Sequence, residues 1–178
     1  MKEKTINSII FKNVTVTLGG HTMFDDIQLK NYSELHGALD ALLEENLNIT
    51  ANLANASALL NHFLKDINWV GFYLYDEQLE KLVLGPFQGK PACTTIEVGK
   101  GVCGTAYRGN DVFIVDNVEE FPGHIACDAR SKSEIVLPIY KDDRGIGVLD
   151  IDAPIYERFD EEDRVGLIEV VEIIKKYL

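Results

Sequence analysis

Three things are scarce in this chain: positive charge, long apolar runs and paired cysteines. It carries 17 Lys+Arg against 29 Asp+Glu, a formal net charge of −12. Nucleic acid and anionic membrane both demand a basic footprint, so neither is expected as a partner. No apolar run approaches the ~20 residues of a membrane-spanning helix. The opening MKEKTINSIIFKN has no apolar h-region and no small-residue cleavage site, so the expected location is the cytoplasm. The three cysteines, Cys93, Cys103 and Cys127, form no C-x-x-C pair, which removes a zinc ribbon and a thioredoxin-like motif on spacing. In a reducing compartment three thiols are not a disulfide framework. They are inert core residues, metal ligands or redox groups.

What is present is an ordinary globular composition: 178 residues, 46% hydrophobic and 26% charged. That length is one domain by default, and a domain of this size buries roughly 68–70% of its unfolded surface. No internal repeat or low-complexity segment interrupts it. Residues 1–30 differ from the rest and are expected as an N-terminal extension, with residues 31–178 as the domain. In the extension, Val14, Val16 and Leu18 alternate with threonines before Gly19-Gly20, a short-strand signal. Met23, followed by the polar DDIQLKNYSEL, offers an alternative start.

From Ser33 to Phe63 the pattern is helical. Leu35, Leu39, Leu42, Ile49, Leu53, Ala56, Leu60 and Phe63 follow a four-then-three spacing, with a gap at Asn46. This predicts one long helix or two joined near Asn46–Thr50. Strands follow at Trp69–Tyr75, Lys81–Leu84, Thr94–Val98, Val112–Val115, Glu134–Tyr140 and Ile146–Asp152, the last two joined through Asp142-Asp143-Arg144-Gly145. Asp160 is a predicted cap for a final helix, with Asp163 three residues on and Leu167, Ile168, Val171 and Ile174 as its buried stripe. Helix, mostly antiparallel strands, then helix is an α+β architecture: one sheet with helices packed against it.

Several motifs carry chemistry. Gly99-Lys100-Gly101-Val102-Cys103-Gly104 satisfies G-x-G-x-x-G, but the dinucleotide fingerprint needs a following helix inside a βαβ unit, and Gly109-Asn110-Asp111 breaks the chain soon after. A glycine-rich turn that brings Cys103 close to a ligand is the expectation. All three cysteines stand in glycine-, proline- or polar-marked segments, which favours accessible, reactive thiols. A second thiol nearby lets a sulfenic acid close to a disulfide. His124, three residues before Cys127, formally allows a Cys₃His zinc site, though the long intervals between cysteines are unlike a metal knuckle. Asp150 and Asp152 alternate with Leu149 and Ile151, so a strand holds both carboxylates on one face about 7 Å apart. A ligand ammonium between them would relieve their repulsion. Glu134 opens a hydrophobic strand, where burial raises a carboxyl pKa as a general acid requires. Trp69 and Tyr73 share the face of their strand.

Together these stretches resemble the free methionine-(R)-sulfoxide reductase family, a branch of the GAF-domain proteins. The resemblance runs through NWVGFYLY (68–75), LGPFQGKPACT (84–94), GKGVCGTA (99–106), FPGHIACDARSKSEIVLPI (121–139), GVLDIDAP (147–154) and FDEED (159–163). It is near-continuous from about residue 50 and leaves residues 1–30 outside. It implies a GAF-like six-stranded antiparallel sheet flanked by helices, usually in a homodimer. It also implies reduction of free methionine-(R)-sulfoxide with electrons from thioredoxin, and no cofactor or metal. Cys127 would be the nucleophile, Cys93 the main resolving thiol and Cys103 a participant in the disulfide relay. Glu134, Asp150 and Asp152 would line the substrate site with Asp116, while Trp69 and Tyr73 would pack round the methyl-sulfoxide end.

The chemistry agrees with the residues. Sulfoxide sulfur is electrophilic once its oxygen is protonated or hydrogen-bonded, so thiolate attack needs a carboxylic acid beside it. The resulting sulfenic acid is captured by a second thiol, and exchange with a dithiol protein resets the chain. Clustered carboxylates select a free ammonium over a peptide amide. The competing expectation is a non-enzymatic GAF sensor that binds a small zwitterion and signals through its long helices.

Overall fold

The computed structural model describes residues 10–11, 14–15, 28–45, 48–123 and 130–178, with the backbone alone at 10–11 and 14–15. In the extension, β1 (Ile10–Phe11) pairs antiparallel with β2 (Val14–Thr15). Val16, Leu18, Gly19-Gly20 and Met23 lie outside the described residues.

The helical stripe forms two helices, α1 (Tyr32–Leu42) and α2 (Ile49–Phe63). Each starts on an asparagine whose side chain satisfies a first-turn donor. Asn31 Oδ1 accepts from the Glu34 N–H, and Asn48 Oδ1 from the Thr50 N–H. Leu35, Leu39, Leu53, Ala56 and Leu60 of the stripe are fully buried, while Asn46 lies outside the described residues.

Each expected strand is present: β3 (Trp69–Asp76), β4 (Lys81–Gly89), β5 (Thr95–Glu97), β6 (Phe113–Val115), β7 (Ser133–Lys141) and β8 (Arg144–Ala153). They form one six-stranded antiparallel sheet in the order β5-β4-β3-β8-β7-β6, as expected. The β7–β8 turn is tighter than the four residues suggested. Asp142 and Asp143 both take positive φ, at 51° and 60°, the conformation of a two-residue hairpin turn that matches sheet twist.

Strand periodicity divides the sheet into two unlike faces. Val70, Phe72, Ile135, Leu137, Leu149 and Ile151 pack into the main core with α1, α2 and α4 (Glu161–Lys175). Trp69, Tyr73, Val136 and Val148 point the other way and meet α3 (Gly101–Gly109). The expected cap on α4 is present as a reciprocal box: Asp160 accepts from the Asp163 N–H, and Asp163 accepts from the Asp160 N–H. Asp163 also accepts from the Tyr32 hydroxyl at 2.6 Å and from Arg158 at 2.8 Å, which ties the start of α4 to α1. On α4, Val170 and Ile173 join Leu167, Val171 and Ile174 in the core, whereas Ile168 is half-buried.

One expectation is corrected. The segment after Gly99 is not a turn with an accessible thiol; it opens α3, and Cys103 lies in that helix with only 4% exposure. Val102, Cys103, Ala106 and Tyr107 form an apolar stripe at helical spacing, and burial of that stripe on the sheet overrides the poor helix propensity of Gly101, Gly104 and Gly109. The helix stops at Gly109 with Asn110 in the left-handed region, where the sequence shows its break. The dinucleotide motif stays rejected, because β5 and β6 stand at opposite edges of an antiparallel sheet.

Gly104 sets how closely α3 approaches β5. A methyl group there would lie 2.3 Å from the Glu97 carbonyl oxygen, which is backbone and cannot rotate away. Gly104→Ala is therefore expected to destabilise the chain by about 1–3 kcal/mol. Thermal unfolding checks this, at roughly 2–4 °C per kcal/mol for a chain of this size. An unchanged midpoint would contradict the close packing.

Candidate active site

The face covered by α3 holds a cavity built in rows across three strands. Trp69 pairs with Asp152, and Asp152 pairs with Glu134, which gives an aromatic–acid–acid row. The next row sets Gly71 beside Asp150 and Asp150 beside Val136. Directly opposed side chains in such pairs stand about 4.5–5.5 Å apart, so the three carboxyls converge without any loop rearrangement. All three line the cavity, together with Trp69, Tyr73, Ser131, the loop residues Lys90–Ala92 and the first turn of α3.

Gly71 makes room for the aromatic wall. A methyl there would come within 2.3 Å of Phe87 Cβ and 2.7 Å of the Trp69 ring. In the space left, the Trp69 ring stacks on Phe87 at 5.3 Å and on Tyr73 at 5.9 Å between centroids. Both polar tips are used. Trp69 Nε1 donates to the Lys90 carbonyl at 3.1 Å, and the Tyr73 hydroxyl donates to the Cys93 carbonyl at 3.0 Å. The two rings thus form one wall and also pin both ends of the segment that carries Cys93.

Burial dominates the electrostatics. The Glu134 carboxyl is pushed well above the usual carboxylate range, first by desolvation and then by the charges of Asp150 and Asp152. Asp150 is pushed up to about 6, again chiefly by desolvation. Its Oδ1 is buried with no hydrogen-bond partner among the described residues, although hydrogen bonding by the residue offsets part of the burial cost. Cys103 Sγ donates to Glu134 Oε1 at 3.9 Å. Desolvation, with Asp150 and Glu134 adjoining, raises the Cys103 pKa and holds it as a neutral thiol. The cluster is acidic and buried, and its raised pKa values favour the protonated carboxyls.

The structure brings together Glu134, Asp150, Asp152, Trp69, Tyr73 and Cys103 from the sequence reading. Cys93 is half-buried between β4 and β5 and is disulfide-bonded, whereas Cys103 is free. Cys127 and His124 fall in 124–129, outside the described residues. Asp116 is not among the described residues that line this cavity. Pairing of β6 ends at Val115 opposite Glu134, so Asp116 leaves the sheet and lines a separate open groove with Phe121 and Tyr156. Its carbonyl accepts from the Glu157 N–H at 3.1 Å. The sequence reading missed Lys90, Lys100, Ser131 and the α3 first turn. Lysines flanking Pro91 and Gly101 carry no pattern that separates them from surface lysines. The α3 contribution was hidden once the segment was read as a turn.

A single six-stranded antiparallel sheet, with α1, α2 and α4 on one face and a cavity under α3 on the other, is the architecture of a GAF domain. A family model described as GAF domain matches residues 38–175, and the chain belongs to that family. The chain is 53% identical to "Protein YtsP" of Bacillus subtilis over 84% of this chain and 91% of that protein. It is 51% identical to the free methionine-R-sulfoxide reductase of Escherichia coli, over 83% of this chain and 88% of that one. A solved structure of the fRMsr of Staphylococcus aureus, in complex with substrate, superposes with a TM-score of 0.79 at 54% identity. It covers 85% of this chain and 98% of that one. Within the GAF domains, the chain belongs to the free methionine-R-sulfoxide reductases, a family of oxidoreductases.

The buried carboxyls fix the sign of a pH effect. Below the ordinary carboxylate range both folded and unfolded chains hold these protons. As pH rises, the unfolded chain releases them first, so the stability they contribute is lost as pH climbs through the raised values. The loss runs to about pH 6 for Asp150 and further for Glu134. Glu134→Gln, neutral at every pH, is expected to flatten the fall in melting temperature above pH 6. Parallel curves for the two proteins would contradict the raised pKa of Glu134.

Proposed function

We propose that this chain reduces free L-methionine-(R)-sulfoxide to L-methionine with its own thiols and is reset by a dithiol protein of the thioredoxin type. The observation that carries the reading is the convergence of three carboxyls beside an aromatic wall in one cavity, with a buried acceptor of Asp150 left open. The family membership and the substrate complex of the Staphylococcus aureus relative support it.

The substrate is a zwitterion, and the cavity has complementary ends. Asp150 and Asp152 take the ammonium. The first turn of α3 has no side-chain cap, so its N–H groups at Gly101 and Val102, helped by Lys90 and Lys100, suit the carboxylate. Trp69 and Tyr73 enclose the methyl-sulfoxide end. Glu134, held protonated by burial, donates to the sulfoxide oxygen.

The Cys127 thiolate attacks the sulfoxide sulfur, and a proton from Glu134 goes to the oxygen. Oxygen transfer to Cys127 then releases methionine and leaves a sulfenic acid. The Cys93 thiol displaces that oxygen as water and forms the disulfide. Two electrons and two protons from the dithiol partner restore both thiols. Cys103 does not suit attack, because it is buried and neutral; its S–H orients the Glu134 carboxyl. We also take the chain to act as a homodimer in the cytoplasm. Among the described residues no helix is long and apolar enough to cross a membrane.

The direct test is NADPH consumption coupled through thioredoxin reductase and thioredoxin, with free methionine-(R)-sulfoxide as substrate. Turnover is expected for the unsubstituted chain and none for Cys127→Ser. Binding of the sulfoxide without turnover by the unsubstituted chain would instead identify a sensor. N-acetyl-methionine sulfoxide, which lacks the ammonium, is expected to lose kcat/KM by roughly 10²–10⁴-fold, the equivalent of two charge-assisted hydrogen bonds. Equal rates with both substrates would contradict the role of Asp150 and Asp152.

A further inference from the structure

Three buried side chains from three different elements converge in the cavity: the thiol of Cys103 from α3, the carboxyl of Glu134 from β7 and that of Asp150 from β8. One donor atom of each lies within 4.8 Å of the other two, and Cys103 Sγ stands 3.9 Å from Glu134 Oε1. Ligands round a tetrahedral zinc ion, with bonds of about 2.0–2.3 Å, stand roughly 3.3–3.8 Å apart, so side-chain shifts of about an ångström close the set on an ion. A second observation points to a ligand. Asp150 is 6% exposed and its Oδ1 has no partner among the described residues, so this lone pair faces a group that those residues do not supply. One sulfur and two oxygens favour zinc and its softer congener cadmium over magnesium or calcium, which take oxygen ligands alone.

We infer that Cys103, Glu134 and Asp150 form a binding site for a divalent ion of the zinc class, which enters through the cavity and displaces the substrate ammonium. On binding, Cys103 and Glu134 each give a proton to solvent, and the ion balances the thiolate and one carboxylate while the second carboxylate leaves a net single negative charge. The fourth position of the ion faces the open cavity. The ion is an inhibitor of this site and plays no part in turnover. The competition rests on the proposed zwitterion reading, whereas the metal site itself does not.

Cadmium is the probe, because its bond to a thiolate adds an ultraviolet charge-transfer band that needs no turnover. The full chain carrying Cys93→Ser and Cys127→Ser leaves Cys103 as its only thiol. Titration with Cd²⁺ is expected to saturate at one ion per chain, with zinc but neither calcium nor magnesium bleaching the band. Adding Asp150→Asn or, separately, Glu134→Gln should weaken binding roughly tenfold or more, with circular dichroism confirming that each variant is folded. Free methionine should raise the apparent Kd for cadmium in proportion to its concentration. No saturable band, or a band unchanged in both folded variants, would overturn the site. A band indifferent to saturating methionine would overturn the displacement of the ammonium. A failed reductase assay is a separate result, because the band is read without catalysis.

Discussion

Everything about this molecule turns on the burial of carboxyl groups against one another. Glu134 and Asp150 each keep only 6% of their surface, and Asp152 adjoins both across the β3–β8–β7 rows. Acids in such a place stay partly protonated or find a cation, because an isolated buried charge is too costly. Here protons fill that need, shared with the thiol of Cys103. A cavity arranged this way offers two things at once: a strong pull on a cationic group, and a neutral acid poised to donate a proton.

The rest of the fold keeps that cluster rigid. The opposite sheet face carries the larger core, with α1, α2 and α4 packed on aliphatic side chains that alternate with the acids along the same strands. Leu149 and Ile151 anchor β8 on that side, so Asp150 and Asp152 cannot withdraw from the other. Trp69 and Tyr73 wall the cavity and hold the Cys93 segment through the Lys90 and Cys93 carbonyls. The α3 helix completes the enclosure and brings Cys103 against Glu134.

Much of this was legible in the sequence. Period-two alternation in VLDID told which face Asp150 and Asp152 share, and Asp160 marked the start of the last helix. Family resemblance added the six-stranded antiparallel sheet. The failures have physical causes. The glycine-rich motif Gly99–Gly104 reads as a turn; only burial of Val102, Ala106 and Tyr107 on the sheet makes it open a helix, and burial is a property of the partner. Treating Cys103 as accessible followed from the same error. Asp116 came only from the family resemblance, and pairing of β6 ends one residue before it, at Val115. Lys90 and Lys100 left no pattern, since single lysines in loops are ordinary surface residues.

The most direct test of the account is a count of free thiols after the fully reduced chain meets racemic methionine sulfoxide without any external reductant. The expected result is loss of two thiols per chain, formation of one methionine and consumption of the R epimer alone, with Cys103 still free by mass mapping. No thiol loss, or oxidation that falls on Cys103 while Cys93 and Cys127 stay reduced, would contradict it.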